Sequence, residues 1–477
     1  MPVSWTVAVA CLTFARLGAA DFQPPDPPQT TVPLGTHLQR ALTLLATSTP
    51  TRHHRVRVLY YGQSITAQQW TGQVTADLKA RFPHADIQAE NRAIGGFTAP
   101  SLLRTAEYDL YNYYPDLLIF HVYDGHKTGE LEQIIARVRQ RTTADILIRT
   151  AHFRWDQSVP REGSVDDPKH KGAQDNDSAQ AVKIRELAAK YDLALADTRV
   201  EWQRYLTRYD LKPKDLLGDG IHLNPLGNKL MAALVIPHLR YLPDAPTAPW
   251  RDRVRDVPVA DPAVTRGADG SFELRFSGNR VDVLAGPAAG ARLGSAKVLI
   301  DGRDPATFQE LYAVTRPSVS YKMWWPAAHV VEHTQPRVAE KWTLKVTKVD
   351  AAAGNFWYTV AGSVTGPDGE GERKKPFTSN SGRVAIAPKD WWMETTQRYA
   401  GNAVVPEGFE VKWEVKPNWA APYQALAGDD PTRAVATMLV QMLSNGPHTL
   451  RLVPNGDGAV PVTGFRVYTP PLAPDRA

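Results

Sequence analysis

The sequence predicts an α/β protein whose first half is an open, doubly wound parallel sheet and whose second half is all-β. Between Arg55 and Leu242, short β-rich apolar runs alternate with segments of helical period. Beyond Leu242 helical periodicity mostly disappears, and short alternating runs follow one another between Gly, Asp, Asn and Pro. The length, 477 residues, exceeds what one ordinary core organises, so two or three domains are expected.

The first twenty residues read as a secretory signal: Trp5 to Leu17 is largely apolar, and Gly18-Ala19-Ala20 offers the small residues a signal peptidase needs. Cleavage after Ala20 would direct the chain to the periplasm or the medium. The apolar stretch is shorter than a spanning helix requires, and no later segment is longer, so no membrane span is expected. Cys11, the single cysteine, falls inside this segment. A mature chain would then carry no thiol, which excludes disulfides, a cysteine nucleophile and thiolate metal sites. The other reading of Cys11, a lipoprotein cysteine, needs a better apolar residue than Ala8 ahead of it.

Residues 21–50 are rich in Pro and Thr and read as a tether with a first short helix around His37 to Leu45. The first domain follows at 51–245. Its strands are expected at Val56–Tyr61, Ala85–Ile94, Asp116–Tyr123, Ala144–His152 and Leu193–Thr198. Trp70, Val74, Leu78 and Phe82 step by four, and Leu131, Ile134, Ile135 and Val138 by three and four, as helices packed on a sheet do. Further helices fit Ser178–Tyr191 and Pro225–Leu242, the latter with proline in its first turn. Residues 246–265 read as a linker. In 266–477, eight runs from Ser271–Phe276 to Gly464–Tyr468 suggest a β-sandwich.

Composition narrows the function classes. The net charge of +5 arises from 55 basic against 50 acidic residues, with no long basic run to follow a phosphate backbone, so nucleic acid is not the expected partner. No G-x-x-x-x-G-K-S/T run is present for nucleotide phosphates. His53-His54 and His170 lack the paired spacing of a zinc site, and neither a metal nor another cofactor is expected.

Three short segments carry candidate chemistry. Tyr61-Gly62-Gln63-Ser64-Ile65-Thr66 follows the first strand and precedes the Trp70 helix. A serine on such a turn projects its hydroxyl from the sheet edge near a positive helix end; the plain alternative is that Ser64 and Thr66 cap the helix. Asp219-Gly220-Ile221-His222 supplies an imidazole and a carboxylate three residues apart, which a serine hydroxyl needs to become a nucleophile. In isolation it reads equally as a solvated turn; Asp215, also within reach, is expected to be structural. Asn91-Arg92-Ala93-Ile94-Gly95-Gly96 ends the second strand with two glycines that would let a backbone N–H approach a substrate oxygen.

In their order and position, a G-x-S after strand one, an N-x-x-I-x-G after strand two and a D-x-x-H before the last helix, these segments resemble the GDSL/SGNH hydrolase superfamily over residues 55–242. The resemblance implies a flavodoxin-like three-layer α/β/α sandwich, followed here by the all-β sandwich domain, and the activities of esterases, lipases and carbohydrate deacetylases. It implies Ser64 as nucleophile and first oxyanion donor, Gly96 as second donor, His222 as general base and acid, and Asp219 as its orienter. Gln63 stands where the most frequent family form has Asp; Gly-Gln-Ser is the form of sialate O-acetylesterase-like relatives. After the third strand the family carries G-x-N-D, whose Asn is a third oxyanion donor, whereas here the stretch is His121-Val122-Tyr123-Asp124. Either two backbone donors suffice or Tyr123 or His126 takes over. Loss of one donor costs on the order of 3 kcal/mol of transition-state stabilisation.

Gln63, Tyr123, Asp124, His126 and His152 are the candidate substrate contacts, His152 because it follows strand four toward the same crevice. Nine of the 13 tryptophans lie at or beyond Trp250, including the pairs Trp324-Trp325 and Trp391-Trp392. Flat aromatic faces suit sugar rings, and core packing is the alternative. Neighbours on a strand face opposite ways, so at most one of each pair is buried in a single core. The expected function is a serine esterase removing acetyl or another small acyl group from a polysaccharide or oligosaccharide. A lipase or acyl-thioesterase on the same triad, a carbohydrate-binding protein on a decayed hydrolase fold, and a lyase or glycosidase are the alternatives.

Overall fold

A computed structural model describes residues 22–51, 53–167, 173–245, 253–288, 290–333, 336–393, 399, 401, 404–428 and 435–473. The expected signal segment, residues 1–20, and His170 lie outside the described residues.

Five parallel strands, β1 (Arg55–Gly62), β2 (Asp86–Asn91), β3 (Leu117–His121), β4 (Asp145–Arg149) and β5 (Ala194–Ala196), form one sheet in the order β2-β1-β3-β4-β5. Alternation along each strand feeds two separate cores. Val56, Val58 and Tyr60 of β1, with Leu117, Ile119 and Leu147, pack on one face against α1 (Gln39–Ala46), α2 (Trp70–Arg81), α6 (Thr198–Arg208) and α7 (Pro225–Val235). Leu59 and Tyr61, with Leu118, Phe120, Ile146 and Ile148, pack on the other against α3 (Ala99–Ala106), α4 (Glu130–Arg141) and α5 (Ala173–Tyr191). The result is a three-layer α/β/α sandwich. Trp70, Val74 and Leu78 of α2 are fully buried, because the four-residue step keeps them on the sheet side of the helix.

The tether is more ordered than a Pro/Thr-rich composition suggests. Phe22 packs against the first core, and the carbonyls of Gln23 and Pro24 accept hydrogen bonds from Tyr205 of α6 and from Tyr209, which caps its end. The expected linker is also partly structured: Val254–Pro258 pairs antiparallel with Val462–Tyr468, and Val264–Arg266 with Phe272–Ala285. Pro and charge in these strands read as linker, yet both are what strands at a sheet edge tolerate.

The second half holds antiparallel sheets around its own core. Two runs expected as separate strands, Ser271–Phe276 and Arg280–Leu284, are one long strand, Phe272–Ala285, that continues through Gly278, where a side chain would collide with the carbonyl of Tyr468. In each tryptophan pair one ring is buried, Trp325 and Trp391, while Trp324 is exposed and Trp392 half-buried; neither pair lies in a strand, so loop packing and not strand alternation makes the split. This half also touches the first: Tyr114 donates to Asn279, Gln441 donates to the carbonyl of Asn112, and Arg104 pairs with the buried Asp390.

Candidate active site

With strand order β2-β1-β3-β4-β5 the direction of winding reverses between β1 and β3, and ligands of such sheets bind beyond the carboxyl ends of the strands at that point. Ser64 lies there, two residues past β1, with the Gly95-Gly96 turn beyond β2 to one side. The loop ahead of α7 brings the third segment over the same edge. His222 Nδ1–H donates to Asp219 Oδ2 at 2.8 Å, and Ser64 Oγ–H donates to His222 Nε2 at 2.9 Å. The carboxylate can only accept, so it selects the tautomer with Nε2 free to receive the serine proton.

Asp219 is tied on both oxygens, since its Oδ1 accepts the N–H groups of Ile221 and His222 at 2.7 Å each. The His222 and Ile221 amides and the His222 ring together pull its carboxyl from the usual 3.8 down to about 2. Such a group contributes stability above the unfolded value, lost as pH falls through about 2. The Asp219 and His222 side chains keep 61% and 43% exposure, so the triad opens to solvent at the sheet edge.

Several residues that the sequence does not single out hold these loops in place. Gln68 clamps the main chain of Leu223 at two points: Oε1 accepts its N–H and Nε2 donates to its carbonyl, both at 3.0 Å. Trp70 N–H donates to Asn228 Oδ1, tying α2 to α7. Asn91 donates to the carbonyl of Thr66 and accepts from Ala93 N–H, which couples the turns after β1 and β2. Only Asn91 stood inside a readable motif. A glutamine four residues past a serine carries no sequence signal for a contact 155 positions away. A catalytic group displaced by about 1 Å can cost on the order of 100-fold in rate. Gln68→Ala is therefore expected to lower the turnover number about tenfold or more with little change in melting temperature, and Gln68→Glu, which keeps only the acceptor to Leu223 N–H, to fall between. Steady-state kinetics on a small ester beside a thermal melt checks this.

The expected substrate contacts divide. Gln63 is buried: Oε1 accepts Ile65 N–H at 2.7 Å and Nε2 donates to His121 Nδ1 at 2.9 Å. It shapes the serine turn from beneath and does not face a substrate. His152 is fully buried and donates from Nε2 to the carbonyl of Ile221 at 2.8 Å, supporting the Asp219–His222 loop from the protein side. Burial above all, then the Arg149 charge, holds its pKa down to about 3, so it stays neutral. His152 follows strand four toward the crevice, yet packing turns its side chain inward, as it does that of Gln63.

Tyr123 is half-buried with an enclosed hydroxyl, its ring edge-on to His121. The loop after β3 is pinned by Gln180 of α5, which donates to the carbonyls of Val122 and Asp124. Asp124 is exposed, with a left-handed backbone (φ 64°). His126 lines a separate cavity of about 250 Å³ with Lys183 and Leu187 of α5, none of whose lining residues belongs to the triad loops. The Tyr123 hydroxyl and both His126 ring nitrogens are enclosed and make no hydrogen bond to the triad loops. Among the described residues the backbone N–H groups of Ser64 and Gly96 donate to no other backbone carbonyl.

Gly96 has φ +82°, in the left-handed region that favours glycine, and a Cβ there would sit tightly against the Trp325 indole at 3.2 Å. Trp325 comes from the second half of the chain and donates from Nε1 to the carbonyl of Gly95 at 2.5 Å. Trp324 Nε1 donates to the same oxygen at 3.2 Å. With Gly95 O engaged, the peptide that carries the Gly96 N–H is held in one orientation.

A larger cavity, about 870 Å³, opens at the other end of the sheet, where Arg55, Arg57, Asp86 and Asp116 begin their strands. Four of its arginines pair with carboxylates, Arg40 with Asp116, Arg55 with Asp86, Arg280 with Asp282 and Arg466 with Asp256, and none of Ser64, Asp219 and His222 lines it. Among the described residues no group of three or more His, Cys, Asp or Glu is arranged to hold a metal ion, and no helix is long and apolar enough to cross a membrane.

No family model and no curated protein matches the chain. Among solved structures, Axe2, an acetylxylan esterase from Geobacillus stearothermophilus, is similar at 18% identity and TM-score 0.33, over 41% of this chain and 98% of that one. LAE5, an alpha/beta hydrolase enzyme from the metagenome of Lake Arreo, Spain, is similar at 18% identity and TM-score 0.32, over 40% and 98%.

Proposed function

We propose that this chain is a serine esterase that removes small acyl groups, acetyl foremost, from a carbohydrate through an acyl-Ser64 intermediate. The observation that carries the reading is the unbroken relay from Ser64 Oγ through His222 to Asp219, made by residues 158 and three positions apart.

In this reading Ser64 Oγ attacks the ester carbonyl carbon while its proton passes to His222 Nε2, and Asp219 stabilises the imidazolium. The N–H groups of Ser64 and Gly96 receive the charge that develops on the carbonyl oxygen. Collapse breaks the carbon–oxygen bond to the alcohol, which leaves with the proton from His222. Water then attacks the acyl-serine, giving its proton to His222, and release of the acid returns that proton to Ser64. Gln63, Gln68, His152 and Trp325 act on this sequence only by positioning.

A Cβ built on Gly95 would lie 3.1 Å from the Trp324 indole nitrogen and 3.5 Å from Ser64 Cβ, so an exposed indole stands beside the nucleophile on that side. Support for a carbohydrate leaving group comes from the solvent-open triad and the tryptophans of the second half. The test is release of acetate from acetylated oligosaccharides by the wild-type protein and by Ser64→Ala. Release by the first alone is expected; equal release by both would remove Ser64 from the chemistry, and none from either would favour a binding protein on this fold.

A further inference from the structure

Two of the most exposed large apolar side chains in the described residues, Trp155 at 65% and Trp324 at 61%, both sit at the triad. Each rests on a glycine of a triad loop. Trp155 N–H donates to the carbonyl of Gly220 at 3.1 Å, and its indole lies so close over Gly220 that a methyl group there would collide with it. Gly220 is the residue next to Asp219. Trp324 lies over Gly95 within reach of Ser64, as described.

The topology sets the two rings apart. Gly95 follows β2, on one side of β1 in the sheet, whereas Trp155 follows β4, two strands away on the other side. Ser64, at the end of β1, therefore has an indole to each flank. Neither ring is exposed for want of an anchor. Trp324 is carried at the tip of a loop closed by Ser320 N–H to Trp325 O and Ala327 N–H to Ser318 O, and the next residue, Trp325, is buried at its base. An indole held in the open by a buried neighbour and a closed loop presents a preformed face, which lowers the ordering cost of binding.

We propose that Trp155 and Trp324 form a two-sided aromatic platform that receives sugar rings of the ester substrate around Ser64, so that the second half of the chain contributes directly to substrate choice. The proposal rests on the esterase reading given above. Flat, wide faces with one polar N–H suit the C–H faces of a pyranose, while an extended acyl chain needs a continuous aliphatic wall. Beside the two indoles, the exposed large apolar side chains of these loops among the described residues are Ile221 and Val319, one on each loop.

The experiment compares wild type, Trp155→Ala, Trp324→Ala and the corresponding Phe variants on acetylated xylo- and cello-oligosaccharides, ethyl acetate and vinyl laurate. Each Ala change is expected to lower kcat/KM on the oligosaccharide esters at least tenfold, chiefly through KM, and at least fivefold more than on ethyl acetate. Phe, which keeps a flat ring, recovers most of the loss. Because both side chains are exposed, melting temperatures separate this from misfolding. Equal losses on all three esters, or a larger loss on vinyl laurate, overturn the proposal. A second readout is independent of turnover: calorimetric titration of Ser64→Ala with the oligosaccharide ester, expected to weaken at least tenfold when either tryptophan is also changed. Binding that depends on the tryptophans in a protein whose wild type releases no acetate would sink the esterase reading and keep the platform; turnover at Ser64 with no dependence on either indole would do the reverse.

Discussion

Replacing His222 by Ala is expected to lower the turnover number on 4-nitrophenyl acetate by about 10⁶-fold, and the double change Ser64→Ala/His222→Ala to lower it hardly further, since residues that act as a unit lose their effect together. The reason lies in the 2.9 Å contact between Ser64 Oγ and His222 Nε2, without which the hydroxyl keeps its proton at neutral pH. Asp219→Asn should cost less, about 10³- to 10⁴-fold. An amide there can offer its N–H to the ring, which stabilises the tautomer with the proton on Nε2, but the open position of this residue lets water take up part of the charge. Pre-steady-state measurements supply the check: a burst of nitrophenol in the wild type, absent in both Ser64→Ala and His222→Ala. Additive losses in the double variant would mean that the two side chains do not share one proton path.

The second large effect is on stability in acid. His121, His152, His238, His329 and His333 all have pKa values pushed below the ordinary 6.5, burial being the first cause in each; His152 falls to about 3 and His238, His329 and His333 to about 4. A histidine held neutral in the fold can protonate once the chain unfolds, so below about pH 6.5 the unfolded state binds more protons and stability falls with pH until the folded values are reached. Each such group changes stability by about 1.4 kcal/mol per pH unit inside that window. The buried carboxyl of Asp109, raised by burial to about 6, works in the opposite sense and offsets one of them; Asp145, Asp177 and Glu201 are raised as well. The balance still favours histidine, and the loss between pH 6.5 and 4.5 is expected to reach several kcal/mol, a large share of ordinary domain stability. Urea titrations across that range measure it. His329→Phe, placed between Phe97 and Trp392, should reduce the slope by about one proton. A midpoint that stays flat from pH 6.5 to 5 would mean that these rings protonate inside the fold.

The alternating apolar runs and the helical steps of Trp70, Val74 and Leu78 were legible because burial repeats along the chain, and period alone tells a sheet-facing residue from a solvent-facing one. The three candidate segments were legible for a related reason: a reactive side chain must stand on a turn directly after a strand or before a helix, and such turns carry glycine and asparagine. By itself, then, the sequence determined the layers of the first half, the end of the sheet at which chemistry can occur, and which hydroxyl, imidazole and carboxylate stand there. Only the tertiary structure decided what surrounds them. Gln63 and His152 turned out to be supports, Gln68 a clamp reaching 155 positions along the chain, and Trp324 and Trp325 neighbours of Gly95 across more than 200 residues. Contacts of that kind leave no local period, because they depend on how separately formed elements pack, and packing is settled by the shape and volume of all the partners at once.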